Sequence, residues 1–115
     1  MRYIIDGYNL FFKLKEEILP FEEKRNEFIA LLDEEVGDLR LNAFLIFDSH
    51  IENSHDYASK RTLKHLEISF SPKNLSADHY ILELLEWSSK NTTLVTSDKS
   101  LGVKAKHLGA KVKTI

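Results

Sequence analysis

Four aspartates in this 115-residue chain stand at comparable places. Asp6 follows Tyr3-Ile4-Ile5, and Asp48 follows the apolar stretch AFLIF. Asp78 lies in SADHY, just after a serine suited to open a helix, and Asp98 closes LVTSD. Carboxylates crowded together raise one another's pKa values and strain a fold unless a cation joins them. A hard divalent ion such as Mg²⁺ or Mn²⁺ accepts carboxylate oxygens and water and leaves positions open for phosphate oxygens. One or two such ions can activate a water and stabilise the leaving oxygen when a phosphodiester is hydrolysed. Each aspartate taken alone also has a plainer role. Asp6 before Gly7 suits a turn, Asp48 and Asp98 suit caps, and Asp78 suits the positive end of a helix dipole.

The other residue types narrow the chemistry. The chain has no cysteine, so it has no disulfide framework, thiolate zinc site or cysteine nucleophile. Its histidines, His50, His55, His65, His79 and His107, show no tight zinc spacing. Any metal site built here is therefore an oxygen-ligand site. Neutral helpers stand beside the acids. Asn9 is a candidate to hold a phosphate or a metal-bound water, or else to cap a helix. Thr96 and Ser97 are placed to orient Asp98. His50 is a candidate phosphate contact or proton carrier, against the alternative of an exposed loop histidine. Tyr8, Phe11 and Phe12 could stack on bases, but their spacing better suits packing the first helix into the core.

Whether the aspartates meet depends on the elements that carry them. Residues 2–5 read as a short buried strand. Residues 21–36 place Phe21, Phe28, Leu31, Leu32 and Val36 at helical spacing, with charges opposite and Pro20 near the start. Residues 42–47 form a second strand, residues 54–64 a basic helix, and residues 66–70 a third strand. Residues 76–90 form a helix with Ser76 as N-cap and Ile81, Leu84 and Leu85 inward. Residues 93–96, 99–107 and 110–115 read as strand, short helix and strand. Alternation of this kind argues for an α/β fold: a mostly parallel five-stranded sheet with helices on both faces, three layers in all. Asp6, Asp48 and Asp98 then end parallel strands, and Asp78 opens the helix after another. All four should meet at the carboxyl edge, where such sheets bind ligands.

Size fits a single domain over residues 1–115. The chain is 43% hydrophobic and 30% charged, an ordinary globular balance. No apolar run is long enough to span a membrane, and Met1-Arg2 leads straight into strand-like sequence without a signal region. A cytoplasmic protein with no membrane partner is expected. The net charge of −2 argues against binding nucleic acid through overall charge. The charge is uneven, however. Residues 15–35 hold eight acids and three bases, whereas residues 99–113 hold five lysines and no acid. Lys60, Arg61, Lys64 and His65 form a second basic cluster. Such clusters are either solvated helix faces or a basic surface for a polyanion, with Lys99 and Lys104 as candidate contacts beside Ser97.

DGYN after the first strand, FDSH after the second, SADHYI opening the helix after the third, and VTSD after the fourth resemble the NYN domain. The likeness is closest to the YacP-like group of the PIN-like nuclease superfamily, and it runs from residue 3 to about residue 110. FDSH stands where FDAH is more usual. Family members usually continue past the last strand with a helical tail, and this sequence ends at Ile115. The resemblance implies a Rossmann-like, PIN-like fold and metal-dependent endoribonuclease activity, with one or two Mg²⁺ or Mn²⁺ ions. It carries the metal-binding and catalytic roles onto Asp6, Asp48, Asp78 and Asp98, with Asn9 in support. RNA is the implied substrate, and RNA processing or mRNA decay at the ribosome the implied setting. Monomer and homodimer both stay open. The competing class is a PIN-like module that holds RNA or a protein without cutting. A phosphatase or receiver switch fits less well. The phosphatase needs a second aspartate where Tyr8 stands, and a receiver needs an acidic pair at the first strand and a later strand-end lysine.

Overall fold

The fold was obtained as a computed structural model, which describes residues 2–14, 21–48, 64–72 and 74–114. In chain order the elements are β1 (Arg2–Asp6), α1 (Gly7–Leu14), α2 (Phe21–Asp38), β2 (Asn42–Phe47), β3 (Leu66–Phe70), α3 (Ala77–Trp87), β4 (Thr92–Val95), α4 (Lys99–His107) and β5 (Lys111–Lys113). The strands form one sheet in the order β3-β2-β1-β4-β5. Every pairing among them is parallel, so the sheet is more uniformly parallel than the alternation alone requires. The helix expected over residues 54–64 falls almost wholly outside the described residues, as do His50, Lys60 and Arg61.

The strand order follows from which face each crossover covers. Ile5, Ala43, Leu45, Phe47, Leu66 and Ile68 pack with α1 and α2 residues such as Phe11, Phe28 and Val36 on one face. Ile4, Ile46 and Leu94 pack with Ile81, Leu85, Leu101 and Ala105 of α3 and α4 on the other. Neighbouring residues such as Ile4 and Ile5, or Leu45 and Ile46, thus point to opposite faces, as a strand's period of two requires. From β1 the chain moves outward to β2 and β3, then returns to the other flank of β1 for β4 and β5. Helices on opposite faces are what right-handed crossovers demand when the direction reverses. The reversal opens a crevice between β1 and β4 at their carboxyl ends.

Gly7 shows why the first strand stops where it does. The chain passes from β1 directly into α1, and Gly7 is the first helical residue rather than part of a reverse turn. A Cβ on Gly7 would lie 2.7 Å from the Phe47 ring and 2.8 Å from the Ile46 carbonyl oxygen. Those distances are far inside van der Waals contact, and the carbonyl cannot swing away. Gly7→Ala is therefore expected to lower stability by about 1–3 kcal/mol, which thermal unfolding would detect. An unchanged melting temperature would contradict the packing.

Candidate functional site

The register of the sheet places the acids. Asp6 pairs with Ile46 on β2, and Ile5 pairs with Val95 on β4, so Thr96 comes level with Asp6 on its other side. The Thr96 hydroxyl donates to Asp6 Oδ2 at 3.1 Å and accepts from the Asp98 backbone N–H at 3.1 Å. Thr96 is almost fully buried. It therefore links the acid at the end of β1 to the one just beyond β4.

Asp48 and Asp98 each hold a helix start. Asp98 caps α4, its Oδ1 accepting from the Leu101 N–H at 3.1 Å. Asp48 Oδ2 accepts from the Ala77 N–H at 3.3 Å, the first residue of α3. Ser76 caps the same helix by accepting from the His79 N–H at 3.2 Å. Asp78 stands in that first turn. The capping role expected of Asp98 is thus real, whereas Asp48 reaches the start of α3, which Ser76 caps, and the segment directly after Asp48 lies outside the described residues.

The four carboxylates feel one another. Asp6, only 8% exposed, has its pKa raised from 3.8 to about 6. Burial is the largest cause, the Thr96 hydrogen bond opposes it, and the charges of Asp78, Asp98 and Asp48 add to it. Asp78 is also raised, by burial first and then by the charges of Asp98 and Asp48, with a hydrogen bond between the Asp78 and Asp98 side chains contributing. His79 partly offsets this. Among the described residues, however, no three acidic or imidazole side chains stand close enough to hold a metal ion as they are. The two observations concern different ranges. Charges interact over several ångströms, whereas ligation needs oxygens within about 2–2.6 Å of one ion. The donor set, four carboxylates and no sulfur, fits Mg²⁺ or Mn²⁺ in its chemistry, and Asp6 and Asp78 carry the raised pKa values that a cation would reverse.

Asn9 is a strut. Its Oδ1 accepts from the Ser97 backbone N–H at 2.9 Å and from the Ser97 hydroxyl at 3.0 Å, tying α1 to the end of β4. Ser97 is thereby held beside Asp98. Tyr8 and Phe11 are buried, and Tyr8 packs on Phe47 with ring centroids 4.5 Å apart; neither is open to stack on a base. Lys99 and Lys104 lie exposed on α4. Lys99 borders the cavity next to Asp98, and Lys104 does not. His50 lies outside the described residues. Sequence reasoning linked Thr96 only to Asp98 and missed its bond to Asp6. Lys106, read only as one of the five lysines of the basic 99–113 stretch, lines the same cavity; its helical spacing from Lys99 was the signal that could have singled it out. Thr96→Val removes the hydroxyl that lowers the Asp6 pKa, so that pKa is expected to rise above about 6 in metal-free protein. NMR titration of the Asp6 carboxyl carbon would measure it, and an unmoved midpoint would contradict the bond.

The family model for the YacP-like NYN domain matches residues 3–115. The chain belongs to this family. YacP-like NYN domains are nuclease-like and share the PIN-like fold. This domain is similar to the crystal structure of Rae1 (YacP) from Bacillus subtilis, with a TM-score of 0.80 and 21% identity, over 99% of this chain and 68% of that one. It is also similar to a W164L mutant of the same Bacillus subtilis protein, with a TM-score of 0.73 and 23% identity, over 99% of this chain and 69% of that one. At these identities the likeness speaks for the fold. No match was found among curated proteins. No helix among the described residues of this NYN domain is long and apolar enough to cross a membrane.

Proposed function

We propose that this NYN domain is a Mg²⁺- or Mn²⁺-dependent endoribonuclease that hydrolyses phosphodiester bonds in single-stranded or unpaired RNA. The observation that carries the reading is the meeting of Asp6, Asp48, Asp78 and Asp98 at the switch point of the sheet, where their charges reach one another. Asp6 and its three neighbours would hold the metal. When bound, one or two such ions supply an activated water and charge stabilisation for the leaving oxygen. The chain's own residues prepare that chemistry. Thr96 holds the Asp6 carboxyl in place and favours its ionised form. Asn9 fixes Ser97, and with it the backbone that presents Asp98. The buried floor beneath Asp6 limits water on that side and strengthens the field a phosphate would meet. A ribosomal setting for the substrate belongs to the same proposal and rests on the family resemblance.

A second reading has one observation in its favour. No three ligands are gathered for a metal among the described residues, and two of the acids are engaged at helix starts. That arrangement would suit a module that binds RNA without cutting it. Incubating a labelled, unstructured RNA and matched DNA with Mn²⁺, Mg²⁺ or EDTA separates the two. The nuclease reading expects RNA fragments that require the ion and vanish with Asp6→Asn. A folded protein that retains RNA yet leaves it intact under every ion would favour the binding module.

A further inference from the structure

Two cavities adjoin along α4. One, of about 280 Å³, is bordered by Ser97 and Asp98 of the acidic site, by Lys99 and Lys106, and by the apolar Val103 and Val112. The second, of about 300 Å³, shares Val103 and Lys106 and adds His107. Together they make a groove that starts at Asp98 and follows one side of α4. Lys99, Val103 and Lys106 recur at intervals of four and three residues, so they share one helical face. On the sheet side the groove meets β5, an edge strand that no further strand covers among the described residues. Val103 is 56% exposed there, a large apolar side chain set between two lysines.

We infer that this groove is the subsite for the nucleotide that adjoins the scissile phosphate of single-stranded RNA. The inference rests on the nuclease reading and adds to it where the substrate lies and which side chains touch it. Charge complementarity and continuity choose the occupant. Residues 99–113 carry five lysines and no acid, so the groove suits a polyanion. Its one carboxylate, Asp98, lies at the end that meets the catalytic acids. A strand entering there presents one phosphate to the acidic end and the next to Lys99 or Lys106. Val103 and Val112 give the intervening base or ribose an apolar surface. Each cavity is near the lower limit of ligand-sized pockets, about 300 Å³, which suits one nucleotide unit rather than a helix. Lys99, Val103 and Lys106, rather than Lys104, are the binding residues of α4 on this geometry, because Lys104 borders neither cavity.

Fluorescence anisotropy of a labelled, unstructured RNA tests this, using Asp6→Asn protein so that the RNA stays intact. Lys106→Glu is expected to weaken binding about tenfold and to flatten the salt dependence by about one phosphate contact. Val103→Ser should weaken binding several-fold while leaving the salt slope unchanged, since it removes apolar surface and no charge. Lys90→Glu makes the same charge change at the opposite end of the sheet, before β4, and should alter binding less than twofold. Equal losses from Lys106→Glu and Lys90→Glu would reduce the effect to net charge and overturn the subsite. So would binding that survives both Lys106→Glu and Val103→Ser, as expected if a protein segment occupies the groove instead. Cutting by protein with Asp6 intact separates the two levels of the argument. RNA cleavage unchanged by Lys106→Glu removes the subsite alone, whereas no binding and no cleavage by the unsubstituted protein removes the nuclease reading and the subsite with it.

Discussion

Asp6→Asn is expected to abolish metal-dependent RNA cleavage while making the metal-free protein more stable. On the proposed nuclease reading, Asp6 would be a metal ligand, and its loss would remove several kcal/mol of charge stabilisation, a fall in rate of roughly a hundredfold or more. The gain in stability comes from the same burial that perturbs the acid. The folded carboxyl has a pKa of about 6 against an ordinary 3.8, so the native state binds its proton more tightly than the unfolded chain does. Between those two values the folded protein holds more protons, and stability falls as pH rises. Below about 3.8 the penalty is absent; above about 6 it is complete, at roughly 3 kcal/mol. Asparagine carries no charge to bury and keeps an acceptor for the Thr96 hydroxyl, although its amide N–H groups need partners of their own. We expect a net gain of about 1–2 kcal/mol at neutral pH, a rise in melting temperature of roughly 5 °C. Calorimetry in EDTA from pH 4 to 7 should show the unsubstituted protein losing stability through this window and the variant losing less. A variant less stable than its parent at pH 7 would mean that the carboxylate is held by favourable contacts, and that the four acids are not in conflict.

Asp33→Ala should be among the most damaging single changes in the described fold. Asp33 projects from α2 and is only 9% exposed. Its carboxylate accepts from the backbone N–H groups of His65 at 2.8 Å, Leu66 at 2.9 Å and Lys64 at 3.2 Å. These are the residues that lead into β3, and β3 pairs with β2 from Leu66 onward. One side chain therefore satisfies the donors at the start of an edge strand and docks that strand to a helix. Burial would raise the Asp33 pKa, but the three hydrogen bonds and the charge of His65 outweigh it, and the pKa is lowered. The sign is opposite to that of Asp6. The contribution of Asp33 is fully present above its unfolded value of about 3.8 and is lost as pH falls through its lower folded value. Hydrogen bonds to a charged group contribute about 1.5–3 kcal/mol, and stranded buried donors carry their own penalty. Asp33→Ala should lower stability by about 3 kcal/mol in urea unfolding at pH 7, with Asp33→Asn intermediate. A loss under 1 kcal/mol would show that water replaces the carboxylate easily and that β3 is held by its pairing alone.

Much of this molecule was legible in its sequence because the signals were local. Apolar runs ending at an aspartate marked β1 and β2, the alternation in LEISF marked β3, and TLVT marked β4. The Ser76 cap and the Ile81–Leu85 spacing marked α3. Parallel pairing followed from the alternation, since a crossover long enough to hold a helix returns the chain in the same direction. Convergence of the four aspartates on one edge then followed from direction alone. What could not be read was anything that depends on two distant segments touching. Gly7 looked like a turn glycine, and it is required by the Phe47 ring across the sheet. Asn9 looked like a cap or a phosphate ligand, and it braces Ser97, 88 residues further along the chain. Asp33 was one acid among eight in a charged stretch, and only packing of α2 against the entry to β3 gave it partners. The residue types determined which chemistry the chain could hold, through a donor set of oxygens with no sulfur. The tertiary structure decided which carboxylate is buried, which are engaged at helix starts, and which lysines border the groove, because burial and hydrogen-bond partners are properties of the assembled sheet.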